Sequence, residues 1–242
     1  MFPPLSIQLI RTLQRGRQIL SDEAFSEMRA YVWSQRTNEV EFRNRGGQPD
    51  LYYTFFGWML CMVLNLRTDA QKRKAVLDAI EPSILDNLHQ TVYALCQQLH
   101  RTMKYGMIAW RPSVERILQQ FLTSYQQQGS RTSLNANAIT LTRYYDLVEA
   151  NQILALQQPT GGFLAHAEAP IPDMLSTAVA LFVLSIHQVE PDYNPTPFLY
   201  SHWLPDGGFA PTLLDSQSDV EYVFYGLLAI GAYSIWDKWD KN

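Results

Sequence analysis

Three aspartates, Asp50, Asp173 and Asp219, each stand before an apolar run, with a hydroxyl-bearing residue three places on: Tyr53, Ser176 and Tyr222. Three residues is just under one helical turn, so carboxylate and hydroxyl share a face. Each such pair offers a carboxyl and a hydroxyl as candidate proton donors. The same aspartates also suit helix N-caps, where a carboxylate accepts from free backbone N–H groups at the positive end of the dipole. No two of His89, His100, His166, His187 and His202 stand three or four places apart, so neither a metal nor a cofactor is expected. Arg43-Asn44-Arg45 reads as an anion handle or as a solvated loop.

The elements that hold these residues repeat. Seven places after each aspartate comes a small residue, Gly57, Ala180 or Gly226, which would let a neighbouring backbone approach a helix that is apolar nearly all round. Ahead of the aspartates come Gly46-Gly47, Gly161-Gly162-Phe163 and Gly207-Gly208-Phe209, with the first copy cut short. The unit is outer helix, Gly-Gly turn, loop, buried helix, and it is clearest over 22–66, 145–188 and 195–235. Amphipathic spacing predicts further helices over 5–20, 70–80, 84–103 and 112–127, and one long or two short helices over 134–157. Residues 5–20 carry Arg11, Arg15 and Arg17, which fits a solvated face or a membrane-surface helix. No alternating strand run occurs, so the fold class is all-α, in a single domain spanning 1–242.

Apolar residues are 47% and charged residues 17%, with 6 Trp, 11 Phe and 13 Tyr, a composition that suits an apolar pocket as well as a core. A formal net charge of −4 argues against nucleic acid as a partner. Cys61 and Cys96 sit in apolar stretches, as buried thiols of a reducing compartment would. With neither a signal-peptide start nor an integral membrane segment, a soluble cytoplasmic protein is expected.

Leu154-Ala155-Leu156-Gln157-Gln158 before Gly161-Gly162-Phe163, followed by an Asp-capped apolar helix bearing Thr177-Ala178 or Phe224-Tyr225-Gly226, resembles the α/α-toroid superfamily of protein prenyltransferase β-subunits and squalene or terpene cyclases. The resemblance is carried by 152–235 and, less closely, by 22–66. It implies inner and outer helices alternating round a cavity for an isoprenoid, here in a short or incomplete toroid. The zinc ligands of the transferases would fall on Asp173, Leu175 and Tyr222, which supply neither thiolate nor imidazole. Their diphosphate-binding cations would fall in Leu164–Pro170, where His166 alone can carry a positive charge. The cyclase acid motif would fall on 173–178, without its paired carboxylates.

The resemblance therefore implies a protein that binds an isoprenoid or similar apolar chain without the zinc site. Its lining would be Tyr53, Phe56, Trp58, Phe224 and Tyr225, with His166, Ser176 and Thr177 at the polar end. The alternatives are a non-catalytic interaction subunit whose partner completes or caps the toroid, and a metal-free cyclase or isomerase using Asp173 or Tyr222.

Overall fold

The helices begin where side chains satisfy their free N–H groups. In the computed structural model, which describes residues 3–106, 110–129 and 147–236, Ser21, Asp50, Asp69, Asp86, Asp173 and Asp219 each accept from backbone N–H groups of a first turn. The helices are α1 (Leu5–Ile19), α2 (Asp22–Ser34), α3 (Leu51–Val63), α4 (Ala70–Asp78), α5 (Asn87–Tyr105), α6 (Pro112–Gly129), α7 (Leu147–Leu154), α8 (Met174–His187), α9 (Thr196–His202) and α10 (Val220–Tyr233). Only isolated β-bridges occur among the described residues, so the class is all-α. Of the stretch 134–157, residues 134–146 lie outside the described residues; 147–154 is helical.

Three turns share one pairing pattern, and its register in the first copy differs from the expected one. Bridges pair Arg36 with Phe42, Gln157 with Phe163 and Trp203 with Phe209. Around them the N–H groups of Arg43, Leu164 and Ala210 donate to the carbonyls of Gln35, Leu156 and His202 at 3.0, 3.0 and 2.8 Å. Phe42 is thus the counterpart of Phe163 and Phe209, and Val40-Glu41 stands where the other copies have Gly-Gly. Gly161 and Gly207 have φ of 91° and 87°, and a Cβ there would come within 2.2 Å of Asn194 O and 2.4 Å of Glu27 C. The first copy makes its turn with Asn38, whose side-chain oxygen accepts from Val40 and Glu41 N–H at 2.9 and 2.8 Å. Gly46-Gly47, expected to be the truncated copy, lies in a second turn closed by an Arg43–Pro49 bridge.

Each phenylalanine is pinned by a hydroxyl. Thr54 and Thr177, four residues after their aspartates, accept from the Phe42 and Phe163 N–H groups at 3.0 and 2.9 Å, and Ser218 takes that role for Phe209 at 3.0 Å. The small residues at Gly57 and Gly226 make room for these rings, not for a neighbouring backbone. A Cβ would come within 2.3 Å of the Phe42 ring at the first and 2.4 Å of the Phe209 ring at the second. Both rings are buried. Gly226→Val is therefore expected to cost about 1–3 kcal/mol in a urea titration, the usual range for overpacking; an unchanged midpoint would mean that Phe209 does not sit there.

Helix α10 is the hub. It packs on α1, α8 and α3, and more lightly on α2 and α9, while α3 leans on α5 and α5 on α4 and α6. The last buried helix of the chain thus lies beside the first. Phe55, Phe56, Phe121, Phe224 and Tyr225 are buried between these helices, with Phe56 and Phe224 centroids 5.0 Å apart in an edge arrangement. Helix α1 turns Leu9, Ile10, Leu13 and Gly16 inward and sends Arg15 and Arg17 to the carbonyls of Gly231 and Val63 at 3.2 and 3.3 Å. Two of its arginines therefore serve helix ends. Cys61 and Cys96 are buried free thiols; burial pushes the first up to about 12 and the second higher still. No described helix is long and apolar enough to cross a membrane.

Candidate functional site

At the N-terminal end of α10 two carboxyl groups are buried two residues apart. Asp219 caps the helix, accepting from Glu221 and Tyr222 N–H at 2.9 and 3.1 Å, and its other oxygen takes Arg45 Nε at 2.9 Å. Arg45 also reaches Asp215 and the Gln217 carbonyl, both at 3.0 Å, and its guanidinium lies 5.3 Å from the centre of the Tyr222 ring. Arg43 in turn donates to Gln35 Oε1 at 3.1 Å. The anion handle read from Arg43-Asn44-Arg45 is thus committed to internal partners.

Glu221 forms no ion pair among the described residues. Its Oε1 accepts from the Tyr52 hydroxyl at 2.5 Å, across the contact between α10 and α3, and the residue is 5% exposed. Burial first, and the Asp219 charge second, push its carboxyl up to about 8, against the pull of the Tyr52 hydrogen bond and of Arg45. Asp219 is also raised by burial, with Arg45 opposing. At neutral pH the arrangement favours Asp219 ionised against Arg45 and Glu221 protonated against Tyr52. Tyr222 is raised far above the usual phenol range by burial and by the charges of Glu221 and Asp219.

Asp173 caps α8, accepting from the Ser176 N–H at 2.8 Å and the Ser176 hydroxyl at 2.7 Å, and burial raises its pKa. Its charge adds a little to the upward shift of Tyr222, after burial and the charges of Glu221 and Asp219. Phe56, Phe224 and Tyr225 also come together, Phe56 and Tyr225 at 5.9 Å, and Tyr53 stands edge-on to Tyr52 at 5.4 Å. Others go elsewhere. Trp58 donates to the Val40 carbonyl at 2.7 Å on the hairpin side of α3, two residues round from Phe56, and Thr177 is spent on Phe163. His166 is half-buried in a turn closed by its own carbonyl and the Ala169 N–H at 3.0 Å.

The sequence reading passed over Glu221. Its signal was there: Glu221 is the one charged residue between Val220 and Tyr233, on a helix otherwise apolar all round. Among the described residues, no three or more His, Cys, Asp or Glu side chains come together as a metal site would require. The chemistry offered is proton donation and hydrogen bonding beside an aromatic cluster. Compared with family models, with curated proteins and with solved structures, the chain matches none.

Proposed function

We propose that the chain is a toroid-type helical protein, akin to prenyltransferases and terpene cyclases, that holds an isoprenoid or similar apolar chain against the aromatic faces of α3 and α10, without zinc. The observation that carries this is the Glu221–Tyr52 pair. A buried carboxyl with no cation costs stability, and capping, the one folding task at that helix end, belongs to Asp219. An uncharged acid and a phenol beside Phe56 and Phe224 suit a ligand that is apolar with one polar end. The packing of α10 on both α8 and α3 supports this reading, since inner helices of a ring lie side by side. For a ligand that is also acted on, Glu221 is a better-placed proton donor than Asp173, which Ser176 holds twice, or Tyr222, whose proton is held too tightly.

Burying a fifteen-carbon chain at about 0.8 kcal/mol per carbon supplies about 12 kcal/mol, less at least about 4 kcal/mol for association, so micromolar affinity needs no charged anchor. Calorimetry with a fifteen-carbon prenyl alcohol and its diphosphate is expected to show binding of both. Phe224→Ala should weaken both alike, by about tenfold or more. Absence of binding by either would sink the proposal. It would bring forward the second reading, an interaction subunit, which Leu213 and Leu214, 67% and 85% exposed in the loop before α10, favour.

A further inference from the structure

Helical spacing gathers a second chemistry on the far side of α5. Gln97, His100, Arg101 and Lys104 follow one another at intervals of three, one and three on α5, and Lys74, Leu77 and Asp78 at three and one on α4. These faces meet across a groove of about 300 Å³ that ends at Tyr105. Lys74, Arg101 and Lys104 bring three cations to it, and Asp78, already bonded to Lys74 at 2.7 and 2.6 Å, is the one carboxylate on its walls among the described residues. Arg101 and Lys104 form no ion pair among the described residues, and Lys104 Nζ stands 5.1 Å from the Tyr105 ring centre.

Two buried groups stand behind the cations without their full set of partners. His100 lines the groove at 9% exposure, with no partner for Nδ1. Arg73, at 3% exposure, donates to the Thr68 carbonyl at 2.6 Å and leaves its Nε unpartnered. Burial and then the charges of Arg73, Lys104, Lys74 and Arg101 hold the imidazole below its usual range. Like charges held this close repel, and the groove contains too little negative charge to balance them.

We infer that the groove between α4 and α5 is a binding site for a phosphate monoester, with Arg101, Lys104 and Lys74 on the phosphoryl oxygens and the ester body on Leu77 and Tyr105. A dianion matches the excess of positive charge. Arginine offers a planar fork to two oxygens, and the lysines add point charges. Asp78 opposes the ligand, and Lys74 must be shared between them. The site lies on α4 and α5, away from Glu221, and stands whether or not an apolar chain binds beside α10.

Phenyl phosphate and inorganic phosphate, titrated by calorimetry while the His100 imidazole is followed by NMR, test it. Phenyl phosphate is expected to bind one site more tightly than inorganic phosphate, and both should weaken as salt rises from about 0.05 to about 0.5 M. Either ligand should raise the His100 pKa. R101Q with K104Q, both at exposed positions, should lower affinity by about tenfold or more. K72Q, on α4 and paired with Glu39, should leave it unchanged. An unmoved His100 pKa, or equal binding by the double variant, would overturn the site. Binding to phosphatidic acid vesicles without binding to phenyl phosphate would overturn it too, in favour of a membrane surface.

Discussion

Gly231→Ala is expected to destabilise the protein by about 3 kcal/mol, at the upper end of overpacking, with α1 loosened from α10. A Cβ at this position would lie 1.8 Å from Thr12 O and 2.7 Å from Gly16 N. Both are backbone atoms, so no rotamer change relieves the clash. The two helices must part, and the Arg15 bond to the Gly231 carbonyl goes with the burial of Leu9, Ile10 and Leu13. Gly16→Ala meets the same wall from the other side, 2.3 Å from Leu227 O. Gly47→Ala is the control: φ there is 80°, but nothing lies within 4 Å, so only backbone strain of about 1 kcal/mol is incurred. Urea titrations followed by circular dichroism separate the two. Equal midpoints for Gly231→Ala and Gly47→Ala would mean that α1 does not cross α10 at these glycines.

That crossing was not legible in the sequence. Gly16 and Gly231 sit in different parts of the chain, and neither interrupts its helical pattern, so nothing local ties one to the other. The aspartate caps were legible, because capping depends on a side chain and the next few backbone N–H groups. Asp50, Asp173 and Asp219 each perform it. The Gly-Gly signature puts the first copy out of register, because the structure is keyed to the phenylalanine and its hydroxyl. In Asn38-Glu39-Val40-Glu41-Phe42 an asparagine side chain replaces the glycines, so the turn survives with no shared letter but the Phe.

The site was half legible for a related reason. Asp173 and Tyr222 stand out through the toroid resemblance, and the charge of Asp173 is felt weakly at Tyr222. The acid with the more unusual setting is Glu221, which has no counterpart in the other copies: Met174 and Leu175 follow Asp173 where Val220 and Glu221 follow Asp219. A repeat draws attention to what recurs, while a buried carboxyl is informative because it does not. Its partner Tyr52, 169 residues away, comes only from the packing of α10 on α3.

Between about pH 5 and pH 8 the wild-type protein should lose stability on the order of 4 kcal/mol through Glu221, and Glu221→Gln should abolish that loss. The unfolded chain releases this proton near 4.5 and the folded one near 8, so between those values the folded state holds a proton that the unfolded state has given up. Stability is therefore full below 4.5 and falls as pH rises through 8, where folding must bury the charged carboxylate or give up its site. Asp173 and Asp219, also raised, act in the same direction from a lower starting pH. His100 and His202 are lowered by burial and act oppositely, favouring the folded state as pH rises through the normal histidine range. The difference between wild type and Glu221→Gln, measured by urea titration at each pH, removes these shared contributions. Glutamine keeps an oxygen for the Tyr52 hydroxyl and carries no proton to lose, so the variant should be the more stable protein at pH 8 and close to wild type at pH 5. Parallel curves for the two proteins would show that Glu221 ionises normally, and the uncharged acid beside the aromatic cluster would then be lost as a basis for function.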